Sequence, residues 1–171
     1  YFGPRLTDAD VANLQAAGAP NHNAYPPYGL WCASEASLGV THADGNMSTV
    51  LNVEAVETLE EPSAKVTRIL LKDTVYPFYV TVCYRAYQDV DMIETWTEIE
   101  NKEKKAVTLT RFDSGYLPIR TGDVWVSHLY GTWANEGRLA QERLERGMMV
   151  IKNKDGVRNA HTDHAEVMFS L

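Results

Sequence analysis

Residues 76–87, YPFYVTVCYRAY, alternate without a break: Phe78, Val80, Val82, Tyr84 and Ala86 fall on one side, and Tyr79, Thr81, Cys83 and Arg85 on the other. A period of two held this long commits the segment to a β-strand with one face on a core. Asp89-Val90-Asp91 then turns the chain, and residues 92–100 return as MIETWTEIE. Ile93, Thr95, Thr97 and Ile99 lie opposite Glu94, Trp96, Glu98 and Glu100. Residues 101–105, NKEKK, read as a charged hairpin, and residues 107–112 go out again. Three consecutive strands with short turns predict an antiparallel meander, because parallel strands would need long crossovers between them.

The same period governs most of the chain. Residues 49–59 place Leu51, Val53 and Ala55 on one face with a second apolar set at Val56, and residues 66–72, VTRILLK, form another strand. Leu38-Gly39-Val40 leads into Asp44-Gly45-Asn46, a turn signal. Further strands are predicted at 124–130, 148–153 and 166–171, with turns at Gly147 and Asp155-Gly156. One short helix is predicted at 7–17, TDADVANLQAA, with Thr7 as N-cap, Asp10 in the first turn and Gly18 as the stop. Residues 133–146, WANEGRLAQERLER, combine good helix formers with a pattern that also fits an exposed strand, and the period leaves both open. With 171 residues, 44% of them apolar, the chain can bury a core as a single domain. It begins at Tyr1 and ends in the apolar run VMFSL, which predicts a piece of a longer protein.

One stretch fits neither period. Residues 22–38, HNAYPPYGLWCASEASL, hold two prolines, two tyrosines, a tryptophan and an isolated acid. A β scaffold presenting one irregular aromatic loop is an arrangement in which function sits on the loop. Tyr28, Trp31 and Glu35 are the candidate substrate-binding residues. Trp31 suits stacking on a sugar or a protein interface, or it plugs the end of the fold. Trp96 and Trp125 read instead as core or half-buried sheet residues.

Several function classes find no support. A net charge of −7 without a Lys/Arg cluster disfavours nucleic acid and anionic membranes. No apolar run approaches the roughly 20 residues that cross a bilayer. His161-Thr162-Asp163-His164 lacks the i, i+4 pair and glutamate of a metalloprotease helix and reads as a polar turn. There is no phosphate-cradling Gly-rich loop and no G-x-S-x-G nucleophile, so no metal or cofactor is expected. Carboxylate pairs such as Asp89/Asp91, Glu94/Glu98 and Glu98/Glu100 lie on turns and exposed faces, where solvated charge explains them. Cys32 and Cys83 could pair only if the fold brings them together; Cys83, in an apolar strand, reads rather as a buried thiol.

Taken in order, a set of motifs resembles the N-terminal domain of glycoside hydrolase family 36 α-galactosidases, especially a Bacteroides-like branch. They are Tyr25-Pro26-Pro27-Tyr28-Gly29, Asp44-Gly45-Asn46, Tyr84 to Ile93 with Tyr87, Asp89 and Asp91, and Ile99 with Asn101. They continue with Val107, Leu109, Arg111 and Ser114, then Leu129, Gly131, Trp133 and Glu136. The resemblance implies a mainly β fold, a large antiparallel β-sandwich (supersandwich) preceding a catalytic (β/α)₈ barrel. It also implies a strand after the Trp133–Glu136 motif. Because such a barrel alone needs about 250 residues, both catalytic aspartates are expected downstream and none here. One would attack the anomeric carbon of a terminal α-galactoside while the other serves as acid and then base.

The resemblance further implies a homo-oligomer in which the loop after the tyrosine-glycine motif closes a neighbour's galactose pocket. Here the sequence departs from the family pattern, in which charged contacts including an arginine follow the glycine. Gly29-Leu30-Trp31-Cys32-Ala33-Ser34-Glu35 holds no arginine. Where relatives often have a serine pair before a histidine, this chain has Arg158-Asn159-Ala160-His161. A free-standing carbohydrate-binding or protein-interaction sandwich is the alternative, as is a domain of an α-N-acetylgalactosaminidase.

Overall fold

The computed structural model describes residues 7–9, 23–29, 35–117, 123–145, 148–152 and 167–170. The helix expected at 7–17 lies outside the described residues apart from Thr7, Asp8 and Ala9. The chain divides into two compact units, Tyr1–Pro118 and Ile119–Leu171.

The first unit carries β1 (Leu38–Thr41), β2 (Leu51–Glu61), β3 (Ala64–Asp73), β4 (Phe78–Tyr87), β5 (Ile93–Asn101) and β6 (Thr108–Phe112). β2 to β5 form one antiparallel sheet in chain order, as short turns between alternating strands require. β6 departs from the expected meander: it pairs with β1 in a separate two-stranded sheet. The segment read as a charged hairpin, 101–105, is therefore a link between sheets. Asn101 braces it, its side-chain oxygen accepting from the Glu103 N–H at 2.9 Å and its amide donating to the Lys105 carbonyl at 3.2 Å.

The core gathers around β4 and β1. Phe78, Val80 and Val82 of β4 are buried against Leu38 and Val40 of β1 and Tyr25, with Leu51, Leu71, Tyr76, Tyr84, Ile99 and Val107 packed around them. Each such buried apolar side chain contributes about 1.5–3 kcal/mol. A bulge between Val53 and Ala55 settles the two apolar sets of β2. Val53 pairs with Leu71 and Val56 with Ile69, so both return to the side of Leu51, whereas Ala55 turns away. One inserted residue reverses every side chain beyond it.

The opposite face of the sheet carries charge. Arg68 reaches across β4 to grip Glu98 with bonds of 3.0 and 2.6 Å. Arg85 donates to Glu94 at 2.7 Å and lies 5.2 Å from the Trp96 ring. Hydrogen bonding from Arg68 holds the Glu98 carboxyl below the usual glutamate range. Glu61, Glu94 and Glu98 on this face are thus held in cross-strand ion pairs. Beneath them Cys83 is buried, and loss of solvent raises its thiol pKa.

The second unit orders β8 (Asn135–Arg143), β7 (Trp125–Thr132) and β9 (Val167–Ser170), all antiparallel. Residues 135–143 are strand, the alternative that periodicity left open. The reversal at Trp133-Ala134 places Ala134 at φ 59° and Gly137 at 71°. Residues 148–152 do not form the expected strand. Trp125 is exposed rather than half-buried.

Candidate functional site

Tyr25-Pro26-Pro27-Tyr28-Gly29 is irregular because two consecutive prolines remove two N–H donors and fix two φ angles. Its remaining polar groups find partners on both sides. The Tyr28 N–H donates to the Leu38 carbonyl at 2.8 Å, and the Pro26 carbonyl accepts from the Ser37 N–H at 2.7 Å. The Tyr28 carbonyl accepts from the Thr49 N–H at 2.9 Å. Tyr25 is buried, and its hydroxyl donates to the Asp113 carbonyl at 3.0 Å. Burial pushes the Tyr25 phenol pKa up. The segment is an arm pinned to β1 on one side and to the 42–50 loop on the other.

Gly29 ends the arm with φ at +109°. A Cβ there would lie 2.7 Å from Ser48 Cα and 2.8 Å from the Thr49 nitrogen. The glycine is needed twice, for the backbone angle and for the close approach. Just before it, Tyr28 is 54% exposed while its backbone is hydrogen-bonded on both sides. Glu35, six residues on, is also exposed. Its Oε2 accepts from Arg111 Nη1 at 2.6 Å, and Arg111 Nε lies 3.2 Å from both carboxylate oxygens of Asp113. Among the three candidates, Tyr28 and Glu35 are the described ends of the loop, and Trp31 lies outside the described residues. The loop itself lacks an arginine, yet the fold brings Arg111 of β6 to its far end.

The 42–50 loop under the arm is built around a buried histidine that the sequence reading missed. His42 Nδ1 lies 2.8 Å from Glu103 Oε1, and its Nε2 lies 3.0 Å from Thr49 Oγ1. In the neutral tautomer that donates Nδ1–H to the carboxylate, Nε2 accepts from the threonine hydroxyl. The Ala43 N–H donates to Glu103 Oε2 at 3.1 Å. Tyr76 stacks on the imidazole with ring centroids 3.8 Å apart, and Phe78 meets it edge-on at 5.8 Å. The Tyr76 hydroxyl donates to Asp44 Oδ2 at 2.7 Å. Hydrogen bonds from the Asn46 N–H and then from Tyr76 hold the Asp44 carboxyl below the usual range. Asp73 closes the far side of the loop, accepting from the N–H groups of Val50, Val75 and Tyr76 at 2.8 Å each. Only the Asp44-Gly45-Asn46 turn was legible in advance; no spacing rule links His42 to Glu103.

Among the described residues no group of three or more His, Cys, Asp or Glu is placed to hold a metal ion. The arrangement is a rigid antiparallel β scaffold presenting an aromatic arm and a loop end. The chain belongs to the glycosyl hydrolase family 36 N-terminal domain family, whose profile matches residues 1–170.

Solved structures share the fold. The α-galactosidase AgaA of Geobacillus stearothermophilus, in complex with raffinose, superposes with a TM-score of 0.80 at 22% identity over 96% of this chain and 27% of its own. AgaB of the same organism gives 0.77 at 23% identity over 84% of this chain and 22% of its own. The α-galactosidase of Lactobacillus brevis gives 0.67 at 19% identity over 74% of this chain and 19% of its own. The chain therefore spans about a quarter or less of the length of these relatives. No curated protein matches the sequence.

Proposed function

We propose that this chain is the non-catalytic N-terminal domain of a retaining α-galactosidase acting on terminal α-galactosides, of the Bacteroides-like branch its motifs resemble. The family match over residues 1–170 carries the reading. A downstream (β/α)₈ barrel supplies both catalytic aspartates, one as nucleophile and one as acid and base. The meeting of β1 and β4 side chains in one core supports a β-sandwich as the scaffold.

The domain's own contribution is assembly of a homo-oligomer and completion of a galactose pocket by the loop from Gly29 to Glu35. Its two anchored ends support that role: backbone hydrogen bonds hold Tyr28, and Arg111 holds Glu35. Tyr28 and Trp31 offer aromatic faces to the apolar side of the sugar ring, and Glu35 accepts from a sugar hydroxyl through the oxygen that Arg111 leaves open. An aromatic side chain contributes to such a contact through the apolar area it takes out of water.

Replacing Trp31 by alanine in the intact oligomer is the direct test. A fall in kcat/KM of about tenfold on a nitrophenyl α-galactoside is expected, equivalent to about 1.4 kcal/mol of lost binding. An unchanged kcat/KM would remove the loop from the pocket. Turnover of the α-N-acetylgalactosaminide in preference to the α-galactoside would reassign the substrate.

A further inference from the structure

We infer that His42 and Glu103 are positioning residues for the arm: together with Thr49 they form a buried relay that fixes where Tyr28 and Gly29 leave the scaffold. The inference rests on the reading of the arm as a pocket-completing element.

The relay is continuous in hydrogen bonds. Glu103, on the link between β5 and β6, receives the His42 Nδ1 proton at 2.8 Å and the Ala43 N–H at 3.1 Å. Nε2 of His42 takes the Thr49 hydroxyl at 3.0 Å, and the Thr49 N–H in turn donates to the Tyr28 carbonyl at 2.9 Å. Every member is inaccessible to solvent or nearly so: the His42 side chain is 0% exposed, the Glu103 side chain 7%, and Thr49 0%. Water therefore cannot replace a lost partner, and each bond restrains the next.

The placement is specific to the arm. Ser48 and Thr49 are the residues against which Gly29 is packed at less than van der Waals distance for any added carbon. A shift in the 42–50 loop is consequently a shift in the arm. Tyr76 and Phe78 hold the imidazole plane, so His42 has a single orientation in which both nitrogens are used. A purely apolar filler at position 42 would preserve packing and lose both bonds. That a histidine–glutamate pair sits there instead, spanning from the β5–β6 link to the arm's floor, is what identifies it as a brace.

The test uses His42→Gln and Glu103→Gln in the full-length protein, read by amide hydrogen exchange and by α-galactoside kinetics. His42→Gln is expected to speed exchange at the Thr49 and Ala43 amides by about tenfold, as loss of one buried hydrogen bond implies. KM should rise by about three- to tenfold while kcat changes less than twofold, because an arm displaced from the pocket weakens binding without touching the reacting groups. Glu103→Gln retains one acceptor and should show both effects more weakly, and it carries the test if His42→Gln does not fold. Unchanged exchange at Thr49 in both variants overturns the inference. Faster exchange with unchanged KM also overturns it, provided Trp31→Ala raises KM. If Trp31→Ala leaves KM unchanged as well, the reading of the arm itself is what falls.

Discussion

Replacing Gly29 by alanine should separate the two demands placed on that residue. Alanine at φ +109° carries a backbone cost of about 1–2 kcal/mol, since its Cβ meets the adjoining carbonyl. The new carbon would also stand 2.7, 2.8 and 2.9 Å from Ser48 Cα, Thr49 N and Ser48 Cβ. Comfortable carbon contacts lie at about 3.5–4.0 Å, so the arm must retreat by about 1 Å. Such a movement breaks the 2.9 Å bond from the Thr49 N–H to the Tyr28 carbonyl. That bond and its desolvated partners add about 1–2 kcal/mol, for a total of about 2–4 kcal/mol. Gly45→Ala is the matched control. Its φ is +91°, but nothing lies within 4 Å of the added carbon, so only the backbone cost of about 1–2 kcal/mol applies. Urea unfolding followed by tryptophan fluorescence, with Trp31 and Trp96 as the reporters in the first unit, gives both values at constant m. Equal destabilisation of the two variants, within about 0.5 kcal/mol, would refute the argument from close approach.

Two further outcomes follow from the loop beneath the arm. Asp73→Ala orphans three backbone N–H groups and should destabilise by about 2–4 kcal/mol in the same urea titration. Asp73→Asn keeps the Oδ1 bonds to Val75 and Tyr76 and should cost about half as much; equal losses would mean that the carbonyl oxygen does not hold that turn. Asp44 should contribute to the acid limb of stability. Its folded pKa is depressed, first by the Asn46 N–H and then by Tyr76, so its stabilisation is present above the unfolded value near 4 and is lost as pH falls through the folded value. Asp44→Asn should therefore give a shallower decline in melting temperature below about pH 4, and an identical profile would contradict the assignment.

The alternation in 76–87 and 92–100 was sufficient to give β4, β5 and their core and solvent faces, because side-chain direction in a strand is a local property of the backbone. Turn residues did the same for Asp44-Gly45-Asn46, where Gly45 adopts positive φ. Strand pairing was less legible. Residues 107–112 look like the next strand of a meander, yet β6 pairs with β1, and Glu103 on the link from β5 meets His42. The bulge in β2 was visible only as an untidy pattern at Val53, Ala55 and Val56. In the second unit, helix-forming residues in 135–143 lost to pairing with β7, which satisfies the backbone across strands.

Among the candidate site residues, Tyr28 and Glu35 stood out in sequence by being aromatic or acidic in a loop without period. Their anchors did not: Leu38 and Thr49 are ordinary in their own strand and loop, and nothing in the motif that holds Arg111 ties it to Glu35, 76 positions away. What the sequence by itself determined is the antiparallel β class, the faces of its longest strands and the position of the irregular arm, all consequences of local periodicity and proline-glycine chemistry. What only the tertiary structure decided is how the arm is held: His42 and Glu103 stand 61 positions apart, and the arm reaches Arg111 through a glutamate 76 positions away. Contacts closed over such separations leave no periodic trace in the chain, since each partner is selected by a neighbour that only folding supplies.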